Sequence, residues 1–188
     1  MAPILGIMAS QISGHLWAPS GAYDSIATTT VGAGGASSIS FTSIPSTYTH
    51  LQVRLFGRQS TGGFDQAHLQ FNTDTGNNYA THNLNGNGST AGAGATTSTN
   101  KISVSAFPGS NQNANVFGAS VIDILDYTNV NKYTTTRALA GVDNNGDGYA
   151  WFASGVWMNT AAVTGITLVC GGNFVQYTSA ALFGIRGN

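Results

Sequence analysis

Charge is the scarcest thing in this sequence. Only 7% of its 188 residues are charged, against roughly 25% in an average soluble domain. Glutamate is absent, so the acids are seven aspartates, most of them beside turns or strand ends. The six Lys and Arg residues form no cluster. Phosphate neutralisation needs grouped cations, so direct nucleic-acid binding is not expected. Attraction to an anionic membrane surface fails on the same ground. A single cysteine, Cys170, excludes an intrachain disulfide, and a fold that holds without one can assemble in a reducing cytoplasm. Cys170 closes the apolar run Ile166–Cys170 and reads as a small buried hydrophobe, with no cationic neighbour to activate its thiol. Met1–Leu16 lacks a positively charged leader region and is too short and polar to span a bilayer. Neither an export signal nor membrane insertion is therefore expected.

Helical periodicity is missing as well. What is present is Gly, Ser, Thr, Asn and Ala, broken by short runs with a period of two. Side chains on a strand alternate between two faces. The clearest case is Ser38–Arg58, two strand-like runs joined at Ile44-Pro45-Ser46-Thr47 and read as a hairpin. In its second run Leu51, Val53 and Leu55 alternate with His50, Gln52 and Arg54. Further runs are Tyr23–Val31, Ala67–Asn72, Lys101–Phe107, Val116–Asp126, Tyr133–Val142, Tyr149–Met158, Thr164–Cys170 and Ala180–Arg186. About ten short strands with turn residues between them predict an all-β, antiparallel sandwich or jelly roll. One domain is expected over residues 22–188, preceded by an extended arm over residues 1–21. The arm's apolar side chains, Ile4, Leu5, Ile7 and Leu16, need a surface to bury against and are the candidate tether. Asn83–Asn100, Gly, Asn, Ser, Thr and Ala apart from Leu84, reads as a long loop.

Tyr149–Met158 is apolar on both faces, with Tyr149, Trp151 and Trp157 on one and Phe152, Val156 and Met158 on the other. One face of a sandwich strand ordinarily meets water, and aromatics are enriched in interface cores. Trp151, Phe152 and Trp157 are therefore the candidates for subunit-interface or core contacts, the alternative being that a loop or the N-terminal arm covers the second face.

Motifs that would carry chemistry are weak. Asp143-Asn144-Asn145-Gly146-Asp147-Gly148 has the first half of a calcium loop, with Asp143, Asn145 and Asp147 as oxygen donors. Its twelfth position is Ser154 rather than a bidentate Glu. Asn-Gly and Asp-Gly are also strong hairpin signals, and a plain turn is the expected reading. Gly86–Ala91 matches G-x-G-x-x-A without the following helix that a pyrophosphate site needs. His50, His68, His82 and Asp65 could meet at a metal only if their strands were neighbours, and their spacing does not enforce it. No G-x-S-x-G or H-E-x-x-H occurs, and Asp123 and Asp126 have opposite strand parity. An enzyme is not expected, and no cofactor is implied.

Three stretches carry a family resemblance: Tyr23–Thr28, Ile44–Gln52 and Phe71–Tyr79. Together with Pro3–Ile7 they are similar to small virion proteins of tailed bacteriophages, over most of the chain up to about Gly88. The resemblance implies a β-sandwich displayed on the outside of a phage particle, assembled in the host cytoplasm and working as a homotrimer. It implies a capsid decoration (cement) protein bound to the major capsid protein or another virion protein. The alternative is the tip of a tail fibre or tailspike that contacts host surface glycans, through Asn83–Asn100 and aromatics such as Tyr79 or Tyr127. The absence of a trimerising stalk favours decoration.

Overall fold

A computed structural model describes residues 22–187. The arm, with Ile4, Leu5, Ile7 and Leu16, lies outside the described residues. Twelve strands and no helix occur among them: β1 Tyr23–Thr30, β2 Ala36–Phe41, β3 His50–Gly57, β4 Asp65–Phe71, β5 Tyr79–Gly86, β6 Ala91–Thr99, β7 Ile102–Phe107, β8 Gly118–Leu125, β9 Thr134–Asp143, β10 Gly148–Trp157, β11 Ile166–Phe174 and β12 Ser179–Ile185. They form an eight-stranded sheet, ordered β1-β12-β3-β8-β9-β10-β5-β6, and a four-stranded sheet, ordered β2-β11-β4-β7. Every pairing is antiparallel. Only β5–β6 and the meander β8–β9–β10 stay within one sheet, and every other connection crosses to the opposite one. This is the winding of a jelly-roll-like sandwich.

Two expectations are corrected. Asn83–Asn100 is not a loop: it forms most of β5 and β6, an antiparallel hairpin at one edge of the larger sheet. Its inner face is built from Asn83 and Asn85 lying against Gly94 and Gly92, where a Cβ would come within 2.8 and 3.0 Å of the amide oxygens. The two runs of Ser38–Arg58 are not a hairpin either. β2 belongs to the smaller sheet and β3 to the larger. The connection between them is pinned by Ile44, whose N–H donates to Thr164 O at 3.0 Å, and by the Tyr127 hydroxyl, which donates to Pro45 O.

The core lies between the sheets. Leu51, Val53, Leu55, Ile122, Ile124 and Leu182 from the larger sheet meet Ile39, Phe41, Leu69, Phe71, Ile166 and Leu168 from the smaller. In β9 the inward residues Thr134, Thr136, Ala138, Ala140 and Val142 alternate with exposed Thr135, Arg137, Leu139, Gly141 and Asp143. The inward positions are small for a reason. β7, buried at all six positions, lies across β8, β9 and β10. The Ser120 hydroxyl donates to Val104 O at 2.9 Å to anchor it. A methyl at Gly155 would stand 2.7 Å from Thr136 Oγ1 and nearer still to the Ile102 side chain.

Candidate functional site

The larger sheet has a second face, turned away from the core. Residues directly opposed across antiparallel strands point to the same side. One such row runs Ala93, Leu84, Phe152, Leu139, Val121 and Arg54, across six strands. Its apolar members are open to solvent: Leu139 is 65% exposed, Leu84 61%, Phe152 44% and Val121 40%. On β6, Ala91 and Ala95 add flat methyl surface on either side of Ala93. Single exposed apolar residues are ordinary, but a contiguous strip of them marks an interaction surface.

A polar row runs beside it: His82, Ser154, Arg137, Asp123 and Gln52. Three of its members, Arg137, Asp123 and Gln52, are bonded to one another. Arg137 Nη2 donates to Asp123 Oδ2 at 2.8 Å and Gln52 Nε2 to Asp123 Oδ1 at 2.9 Å. Arg54 Nε donates to Gln52 Oε1 at 3.1 Å, and its guanidinium lies 5.1 Å from the Phe183 ring centroid and 5.9 Å from that of Tyr23. A shallow depression of about 390 Å³ joins the two rows, lined by Val121, Asp123, Arg137, Leu139 and Phe152.

The residues first considered for an interface divide between the two faces of β10. Trp151 and Trp157 are 7% and 1% exposed and belong to the protomer's own core. Trp157 packs against Phe71 and Tyr79, with centroids at 5.5 and 6.4 Å, and donates its Nε1–H to Asp74 Oδ2 at 2.8 Å. That bond, with the donor from Asn78, holds the Asp74 carboxyl below the usual carboxylate range. Phe152 alone reaches the outer face. Leu84, Leu139 and Val121, which complete its row, were not apparent from the sequence, because each lies on a different strand.

The other candidates do not converge. Asp143–Asp147 makes a type I′ hairpin turn, with Asn145 and Gly146 at φ 60° and 105°. Asp143 Oδ1 accepts from Asn145 N and Asp147 Oδ1 from Gly148 N, both at 2.8 Å. The two carboxylates are thus engaged with their own backbone. Among the described residues no group of three His, Cys, Asp or Glu side chains is placed to hold a metal. His50 and His68 lie in different sheets. His50 Nδ1 accepts from Asp126 N at 2.9 Å. His68 is mostly buried, with Nδ1 unpartnered, and burial assisted by Lys101 lowers its pKa to about 4. Tyr79 and Tyr127, considered as exposed aromatics, are fully buried. Burial raises the Tyr79 hydroxyl to about 12. Cys170 is half-buried, donates to Gly172 O, and is pushed up to about 11 by burial.

Comparison with known proteins adds no relative: no family model, no curated protein and no solved structure matches this chain.

Proposed function

We propose that this chain is a structural protein of a tailed-bacteriophage virion. It acts as an outer-capsid decoration protein that binds the head surface as a homotrimer and stabilises the shell. One observation carries the reading: a sandwich with few charges that leaves an apolar strip, Leu84, Phe152, Leu139 and Val121, open on its broader sheet. Such a surface serves protein–protein contact. The similarity of Tyr23–Thr28, Ile44–Gln52 and Phe71–Tyr79 to phage virion proteins supplies the setting. The action is mechanical, with apolar burial between subunits, at about 25 cal/mol per Å² before association costs, opposing the internal pressure of packaged DNA. The arm, through Ile4, Leu5, Ile7 and Leu16, is the tether to the capsid protein.

The test is add-back. Particles assembled without the protein should bind the purified chain and then release their DNA at a higher temperature. A version lacking residues 2–16 should stay folded and bind no particles. Undecorated particles that take up none of the full-length chain would sink the reading.

A further inference from the structure

We infer that the outer face of the eight-stranded sheet is the contact between copies of this chain, with the row Leu84–Phe152–Leu139–Val121 at its centre. The inference rests on the homotrimer proposed above and assigns it a surface. Particle binding is left to other parts of the chain.

Three features point to a second copy as the occupant. The first is size. Eight strands about 4.8 Å apart, with outward rows running roughly 20 Å, make a face of roughly 700 Å², which a ring of three divides into two contacts of roughly 350 Å² per copy, small singly and joined by closure of the ring. The second is charge. Asp123 and Arg137 are bonded to each other across the face, which leaves one charge of each sign, Asp143 at the end of β9 and Arg54, lodged over Phe183 and Tyr23. The face therefore presents no block of one sign to select an oppositely charged partner. With a net charge of −1 the chain also has almost no self-repulsion to oppose its own association. The third is anatomy. An apolar centre with aromatic Phe152, flanked by a polar row in which Arg137, Asp123 and Gln52 are bonded to one another, is how protein–protein interfaces are built. In a closed three-fold ring each copy uses one part of the face against one neighbour and another part against the next.

The experiment is sedimentation velocity on the full chain over a concentration series, alongside three variants. Leu84→Lys/Leu139→Lys places two charges in the strip at its most exposed positions. Leu84→Thr/Leu139→Thr removes apolar surface while keeping β-forming residues. Val130→Asp, at an exposed residue of the β8–β9 connection, is the control. The wild type and the control should sediment as one oligomer, three times 19.3 kDa, or 57.9 kDa. The Lys pair should be monomeric, and the Thr pair should need at least about tenfold more protein to assemble. Circular dichroism on each variant verifies that it is folded. A wild type that stays monomeric up to about 100 µM overturns the inference. So does a folded Lys or Thr pair that assembles like the wild type. An oligomer broken by the Lys pair, in a protein that binds no particles, supports this interface and fails the decoration reading.

Discussion

Trp157→Phe removes one nitrogen and part of one ring from a buried position whose polar end meets Asp74 nearer the surface. The indole N–H donates to Asp74 at 2.8 Å, and the ring packs on Phe71 and Tyr79. A hydrogen bond to a charged group contributes about 1.5–3 kcal/mol, and the smaller ring leaves a void worth about 1 kcal/mol more. The expected loss is about 3 kcal/mol, which for a chain of this size lowers Tm by roughly 6–12 °C. The acid limb of the stability profile should change as well. Asp74 has a lowered folded pKa, chiefly because of Trp157. It contributes stability above its unfolded pKa, and that contribution is lost as pH falls through the folded value. With Phe at 157 the acid loss should therefore be shallower. The assay is thermal unfolding followed by circular dichroism at several pH values, on Trp157→Phe, Asp74→Ala and the double variant. Coupling of about 1–2 kcal/mol is expected between the two sites. Strictly additive losses would refute the idea that this bond ties the two residues together.

Three further outcomes follow from packing and titration. Gly155→Ala should cost about 2–3 kcal/mol, because the methyl collides with Ile102 and Thr136 where β7 crosses the larger sheet; an unchanged urea midpoint would contradict that packing. His68 is depressed from 6.5 to about 4, so its neutral form stabilises the fold fully above pH 6.5, and up to about 3 kcal/mol is lost as pH falls towards 4. His68→Gln should flatten that window in a urea titration. Arg58 donates to the carbonyls of Gln112, Asn113 and Val116 at 2.9, 2.8 and 3.0 Å. Arg58→Lys cannot span all three, and should lose about 2 kcal/mol and speed limited proteolysis within residues 109–117.

The fold class was legible because ten short runs, several of them alternating and one apolar on both faces, are separated by turn residues and can be read locally. Leu51, Val53 and Leu55 could only be one face of a strand, and they are buried. β5 and β6 escaped for a physical reason. Their contrast is between Ala and Gly or Asn, and Gly92 and Gly94 are small to admit Asn85 and Asn83, a fit that local hydropathy does not register. The only local trace was the strict alternation of Ala91, Ala93 and Ala95 with Gly92 and Gly94. The Pro45 turn was visible, but periodicity does not say which sheet a strand joins, so a crossover looked like a hairpin. The surface strip was half legible. Two apolar faces on Tyr149–Met158 were plain, yet which one the core would claim depended on where β7 lies. Phe152's neighbours Leu84, Leu139 and Val121 meet it only through strand register.

The proposed shell role fixes how many copies of the chain a particle carries. Quantitative mass spectrometry of purified particles should find the chain near stoichiometric with the major capsid protein. A few copies per particle, or none, would exclude a shell role.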